Sequence, residues 1–243
     1  MELLFEYSIG LFPGLLLIAL FYALIPKEYR LFKVVILIFG FILMRDAMTP
    51  IGLWTFGIEG NVMWLRFIED AFILLTLAFT SLIVALVITH FNKTPMKWFK
   101  EKEKTKSILM GVMAAVLVAI PFMIPYFYVP VEDRGGSFPP SLWIVLLIFA
   151  LFGNFLEEVL FRGVFQEYVK EKVGVIRSIM LSGLFFAIGH TFLAITVTDL
   201  GVLILVFTLV EGIVCAIVYE RYGLIPATLT HGLTIFIISA GFI

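Results

Sequence analysis

The chain has 243 residues, of which 62% are hydrophobic and 14% are charged, and its mean hydropathy is +1.10. These values lie far outside the range of soluble domains and predict an all-α, polytopic membrane protein. A net charge of −1 says nothing about partners, and the single cysteine, Cys215, excludes a disulfide framework. The length leaves room for about eight apolar helices, so we predict one integral membrane domain over residues 1–243.

The hydropathy pattern predicts four spans within residues 1–130 and four within residues 141–243. They lie at about 8–25, 34–44, 62–90, 108–128, 141 onward, 175–192, 200–219 and 224–242. The stretch with Gly and Pro before the third span is predicted to be a loop or a shallow re-entrant segment. The N-terminal segment has neither a basic region before the first span nor a small-residue cleavage site after it. We therefore do not expect this span to be a removed signal.

The distribution of Lys and Arg predicts the orientation in the membrane. With both termini outside, thirteen of these residues fall in inside loops, and three, Arg45, Arg66 and Arg134, fall in outside segments. The most basic inside loop follows the third span and contains Lys93, Lys97, Lys100, Lys102, Lys104 and Lys106. The positive-inside rule therefore predicts both termini outside.

Three charged residues, Glu157, Glu158 and Arg162, interrupt the fifth span. A charge at membrane depth costs about 2.5 kcal/mol or more, so such residues usually face a protein or water-filled interior. Glu158 and Arg162 are four residues apart, the spacing at which opposite charges meet on a helix. Glu157 then remains without this cation, about 100° around the helix, and is suited to be a general base or acid. A purely structural Glu–Arg clamp between helices also fits these residues.

Helix geometry predicts that both histidines of the C-terminal half, His190 and His231, lie near Glu157. Glu157 and His190 are about equally far from the turn at Gly174, and Glu211 and His231 are equally far from Arg221. Residues equidistant from the turn of an antiparallel helical hairpin lie at one level, because each residue rises about 1.5 Å. The site is predicted to lie about 10–15 Å from the cytoplasmic surface and to open towards that surface. His90, at the end of the third span, is predicted to be interfacial.

The chain from about residue 141 to its end resembles the CAAX-protease and bacteriocin-processing (CPBP, or Abi) family of intramembrane glutamic endopeptidases. The resemblance rests on Glu157-Glu158-xxx-Arg162, on Phe186-xxx-His190, and on His231 after Gly223-Leu224-Ile225-Pro226-Ala227. It implies that Glu157 and His190 activate a water molecule and that His231 helps to stabilise the oxyanion. It also implies that Glu158 pairs with Arg162 and holds the helix.

The third motif departs from the family pattern. Four residues after His231 the family has Asn or Asp, and this chain has Ile235. Asn154, on the same helix face as Glu157, is a candidate replacement or a helix-packing amide. The hydroxyls of Thr230 and Thr234 flank the site, although Thr often bonds to its own helix backbone. Glu211 is a further candidate, or the partner of a polar neighbour.

The same residues bear on cofactor and substrate. Glutamate and histidine ligands would suit zinc, but there is no His-Glu-xx-His helix and no cysteine near the motifs, so we predict a site without metal or other cofactor. The predicted partners are the lipid bilayer and a hydrophobic or lipidated peptide, with no nucleic acid. Four phenylalanines, on helices that would build the cavity or simply pack together, are candidates for an apolar wall: Phe161, Phe165, Phe185 and Phe186.

Two other functions are compatible with these residues. One is a catalytically impaired relative that acts as a membrane binding partner, which the departure at Ile235 favours. The other is a proton-coupled transporter that uses buried Glu and His. The chain shows no inverted repeat, a feature that many transporters have. A prokaryotic plasma membrane and a eukaryotic endoplasmic reticulum are both compatible with the sequence, and the compact chain favours the former.

Overall fold

The structure is a computed structural model that describes residues 1–60, 62–91, 95–100 and 103–242. Lys93 and Lys102 of the predicted basic loop lie outside these ranges. Within them the chain forms nine α-helices and one two-stranded hairpin. The predicted helical, polytopic membrane fold is confirmed.

The elements follow the chain in this order: α1 Glu2–Leu24, α2 Arg30–Asp46, β1 Trp54–Glu59, β2 Val62–Phe67, α3 Ala71–Phe91, α4 Lys104–Met123, α5 Trp143–Glu158, α6 Glu167–Val173, α7 Val175–Ile188, α8 Gly201–Tyr222 and α9 Leu224–Ala240. Two π-helical segments, Val159–Gln166 and Leu193–Val197, follow α5 and α7. The first joins α5 to α6, so this part of the chain is one long helix up to Val173.

Six helical segments in the described ranges are long and apolar enough to cross a membrane. They contain α1, α3, α4, α5 with α6, α7, and α8. The second and eighth predicted spans correspond to α2 and α9, which have 17 residues each. A helix of that length covers about 25 Å, slightly less than the hydrocarbon core. The predicted number of eight spans is therefore not confirmed.

The third predicted span begins too early in the sequence. Residues Val62–Phe67 pair with Trp54–Glu59 as an antiparallel hairpin, where a loop or re-entrant segment was expected. The turn includes Gly60, whose φ of +61° suits glycine. The helix starts only at Ala71, because the Asp70 carboxylate accepts a hydrogen bond from the Ile73 N–H and caps the first turn.

The hairpin is fastened to the end of α9 by a buried arginine. Arg66 on β2 donates to the carbonyl oxygens of Gly136 and Ile238. The loop before α5 joins the same end of the molecule, where Phe138 N–H donates to Ala240 O. The hairpin and the C-terminal end of α9 therefore lie together.

Helices from the two halves of the chain pack against each other. α3 packs along α5, and α4 packs along α9. The α4–α9 contact depends on Gly111, since a Cβ there would lie 2.6 Å from Pro226 O. Small residues at such crossings let helix backbones approach closely. Two of the motif-bearing helices, α5 and α9, thus pack directly against the N-terminal half.

The segment 95–100 crosses the start of α9 at the opposite end. Its carbonyl oxygens accept from the first backbone N–H groups of α9: Lys97 O from Leu224 and Trp98 O from Ile225. Free N–H groups at a helix start need such partners. This segment therefore holds α9, which contains His231, in place.

Candidate active site

The first motif lies where α5 changes into a π-helix. Glu157 and Glu158 end α5, and the π segment starts at the next residue. The second π segment starts three residues after His190. Such segments are rare and are frequent at functional sites, because the wider turn changes the direction of side chains. Sequence periodicity did not predict either segment.

The carboxylate of Glu158 holds together three helical segments. Its Oε1 lies 3.0 Å from Arg162 Nη1 in the ion pair that the spacing predicts, and both side chains are fully buried. The same oxygen lies 2.9 Å from Nδ1 of His231 on α9. Arg162 also donates to Gly212 O on α8. The contact of Glu158 with His231 was not predicted.

His231 lies between two carboxylates. Its Nε2 is 3.6 Å from Oε2 of Glu211, on the side away from Glu158. The predicted common level of Glu211 and His231 is therefore confirmed. Glu211, one of the residues with two alternative roles, does lie beside a polar neighbour at the site.

Both ring nitrogens of His190 are hydrogen-bonded. Nδ1 lies 2.8 Å from Phe186 O, and Nε2 lies 2.9 Å from Nη1 of Arg45. A carbonyl only accepts and a guanidinium only donates, so Nδ1 carries the proton and Nε2 accepts from Arg45. This is a neutral histidine without a free lone pair for a water molecule.

Arg45 is a site residue that the sequence analysis missed. It ends α2 together with Asp46, was assigned to an outside segment, and is only 6% exposed. Its Nε donates to Asp46 and its Nη2 to Gly189 O. An Arg-Asp pair at the end of an apolar helix was the available signal, because buried charges there usually have a function.

Phe186 packs between the charged groups of the site. Its ring centroid lies 4.6 Å from that of His190 and 5.4 Å from that of His231, and Arg162 Cζ is 4.5 Å from its centre. Of the two interpretations of the four phenylalanines, helix packing is confirmed and a substrate wall is wrong. Phe161, Phe165 and Phe186 are buried in a packed core, against which Phe185 packs.

A cavity of about 360 Å³ brings the catalytic candidates together. Glu157, His190 and His231 all line it. The last four helices do not build this cavity alone. Much of its wall comes from α1, α2, the hairpin and α3, and includes Leu11, Phe41, Arg45, Trp54, Phe67 and Leu77. The wall is mainly apolar, as a hydrophobic substrate requires.

None of the polar residues considered as replacements for the missing amide is hydrogen-bonded to His231 among the described residues. Ile235 lines the cavity. Asn154 also lines it, but its Nδ2 donates to Ala150 O on its own helix, and the hydrogen bonds among the described residues do not link it to His231. Thr230 and Thr234 bond to backbone carbonyls of α4 and α9. Neither hydroxyl therefore replaces the amide.

Cys215 lies closer to the motifs than we expected. Its Sγ and ligand atoms of Glu158 and His231 lie within 4.8 Å of one another. The premise that no cysteine is near the site is therefore wrong, since α8 brings Cys215 to the motif residues. The Arg162 guanidinium already lies 3.0 Å from the Glu158 oxygen, and a cation at that distance disfavours a metal ion. The site without metal stays a prediction.

Comparison with known proteins gives one family. Residues 139–237 match the family described as type II CAAX prenyl endopeptidase Rce1-like. Searches of curated proteins and of solved structures gave no match. The matched segment contains all three motifs, from Glu157 to His231. The motif-bearing segment of this integral membrane protein is therefore similar to the Rce1-like family of CAAX prenyl endopeptidases, a family of proteases.

Proposed function

We propose that this protein is an intramembrane endopeptidase in which Glu157 is the general base. One observation carries the proposal: Glu157 lines the apolar cavity together with both motif histidines and lacks an ion-pair partner within 4.0 Å among the described residues. Its Oε2 is buried without a hydrogen-bond partner there. Glu158 is held by Arg162, and Glu211 lies beside His231, so Glu157 is the carboxylate best placed to take a proton from water.

In this reaction the carboxylate of Glu157 takes one proton from a water molecule. The water oxygen bonds to the carbonyl carbon of the substrate, and the C=O electron pair moves onto the carbonyl oxygen. When this intermediate collapses, the C–N bond breaks and Glu157 returns the proton to the leaving nitrogen. His231, which lines the same cavity, supports the developing oxyanion in this proposal, a role that contributes about 3–4 kcal/mol in other enzymes.

The hydrogen bonds of His190 support a different part from the one implied by the resemblance. Both of its nitrogens are engaged, by Phe186 O and by Arg45. We propose that His190 is part of the polar wall that holds the site together. Proton transfer then belongs to Glu157 alone.

The mouth of the cavity indicates how a substrate enters. Among the lining residues, Ser8 and Phe12 on α1 and Thr80 on α3 are exposed. In a membrane this surface faces lipid, so we propose lateral entry between α1 and α3. Such a route suits a peptide with a lipid anchor or a hydrophobic segment, and it replaces the expected opening towards the cytoplasm.

Cleavage of a peptide panel tests this function. Purified wild type and Glu157→Gln, in lipid nanodiscs, are incubated with quenched fluorescent peptides that do or do not carry a prenyl group. We expect wild type to cleave and Glu157→Gln to be inactive, with the prenylated peptides cut faster because the apolar cavity binds the lipid. A membrane binding partner without catalysis would cleave none of them.

A further inference from the structure

Arg45 is a cation of the cavity wall to which neither the motifs nor the family match assigns a role. It belongs to α2, outside the matched residues 139–237. It lines the same cavity as Glu157. A buried charge at membrane depth is expensive, which makes a functional role the default expectation.

The guanidinium of Arg45 is held in one orientation by three partners. Nε donates to Asp46 Oδ1 at 2.7 Å, Nη1 to His190 Nε2 at 2.9 Å, and Nη2 to Gly189 O at 2.8 Å. A guanidinium has five N–H groups in a planar fork. After the hydrogen bonds to described residues are counted, each Nη atom of Arg45 still has one N–H group that can donate to a substrate. Donors that are fixed before the reaction stabilise a developing charge most effectively.

The cavity has an apolar side chain at the position where the family pattern has a polar one. Ile235 occupies the position of the family's Asn or Asp and lines the cavity with an apolar side chain. An oxyanion in a water-poor cavity needs fixed donors, and an isoleucine side chain has none. Arg45 lies in the same wall and supplies guanidinium N–H groups.

We propose that Arg45 is a further catalytic residue, whose Nη N–H groups donate hydrogen bonds to the substrate oxyanion in place of the amide missing at position 235. The proposal rests on the proposed peptidase function. In this arrangement Asp46 and His190 are positioning residues, because they act through Arg45. Arg45 transfers no proton, and it only donates hydrogen bonds to the oxygen that becomes negative when water adds to the carbonyl.

Four variants test the role of Arg45: Arg45→Gln, Ile235→Asn, the double variant, and Arg134→Gln. Arg134 is a matched control, because it is also a fully buried arginine but does not line the cavity. Steady-state cleavage of the best peptide in nanodiscs gives kcat and KM, and thermal unfolding reports the stability of each variant.

We expect Arg45→Gln to lower kcat by about 10²-fold or more, with KM changed less than about threefold, as for the loss of an oxyanion donor. Ile235→Asn in the Arg45→Gln background should restore kcat at least about tenfold, because it returns a donor to the same wall. Arg134→Gln should lower the unfolding temperature without this loss of kcat per folded molecule. A structural role of Arg45 would not be rescued by Asn at position 235.

A second readout does not need turnover. A phosphinate analogue of the peptide mimics the tetrahedral oxyanion, and Arg45→Gln should weaken its binding about 10²-fold while the parent peptide binds as before in a Glu157→Gln background. Unchanged phosphinate binding, or a kcat within about threefold of wild type, would overturn the role of Arg45 alone. Absence of cleavage by the wild type would overturn both this role and the peptidase function.

Discussion

At the scale of single residues, the site is a network of buried polar side chains joined by ion pairs and hydrogen bonds. Glu158 joins Arg162 of its own helix to His231 of α9, and Arg45 joins α2 to His190. Burying an ion pair contributes little net stability, but removing one member leaves a charge uncompensated. Such a network fixes side-chain positions at the candidate active site.

Loss of Arg162 should therefore destabilise the protein strongly. We expect Arg162→Leu to lower the free energy of unfolding by about 3–5 kcal/mol, because Glu158 loses its guanidinium partner in a fully buried place. Unfolding in mixed micelles with increasing SDS measures this change. The double variant Glu158→Gln/Arg162→Leu should recover part of the stability, since the unpaired carboxylate is also gone. A single variant within about 1 kcal/mol of wild type would refute the role of the pair.

The sequence predicted the residue contacts that follow from helix geometry. The Glu158–Arg162 pair follows from i,i+4 spacing, and the Glu211–His231 contact follows from equal distances to a turn. The contacts of Glu158 with His231 and of Arg45 with His190 join residues 73 and 145 positions apart. They depend on how the helices pack, which local spacing does not contain.

At the scale of the elements, the sequence predicts where most helices lie but not the details of where they begin or how they wind. Long apolar segments predict helices, since a membrane leaves backbone groups no other partners. The start of α3 was missed because Val62–Phe67 is as apolar as a span but pairs with Trp54–Glu59. The π segments were missed because hydropathy does not report the number of residues in a turn.

The close approach of α4 and α9 leads to a stability prediction. We expect Gly111→Ala to lower the free energy of unfolding by about 1–2 kcal/mol, because its Cβ would meet the Pro226 backbone. Gly10→Ala is the matched control: it lies on α1 with no heavy atom within 4 Å of its Cβ, so it should gain about 0.5–1 kcal/mol of helix stability. Thermal unfolding in detergent distinguishes them. Equal unfolding temperatures would show that this crossing tolerates a methyl group.

At the scale of the whole molecule, the cavity lies on the side of the site that faces the hairpin. Its wall includes the early residues of α1 and α8 and the late residues of α2 and α9, with the hairpin at the same end. The distribution of Lys and Arg predicts that this end lies outside. The three arginines counted as outside, Arg45, Arg66 and Arg134, are buried. The difference in accessible Lys and Arg between the inside and outside segments is therefore even larger than the count suggests.

Cysteine labelling in intact cells tests this orientation. Glu59 in the hairpin and Lys172 at the end of α6 are exposed at opposite ends, and the native Cys215 is buried. We expect Glu59→Cys to react with a membrane-impermeant maleimide in intact cells and Lys172→Cys to react only after permeabilisation. The reverse pattern would place both termini and the cavity side in the cytoplasm.

The central claim is that one carboxylate of the cavity, Glu157, takes the proton from water. The most direct test is the single-turnover rate of cleavage of one membrane-anchored peptide by wild type, Glu157→Gln and Glu211→Gln in the same nanodiscs. Glu211 is a matched control, because it is also buried and lines the same cavity but lies beside His231. The account predicts a loss of about 10³-fold or more for Glu157→Gln and a much smaller loss for Glu211→Gln. A Glu157→Gln protein that cleaves within about tenfold of wild type would contradict it.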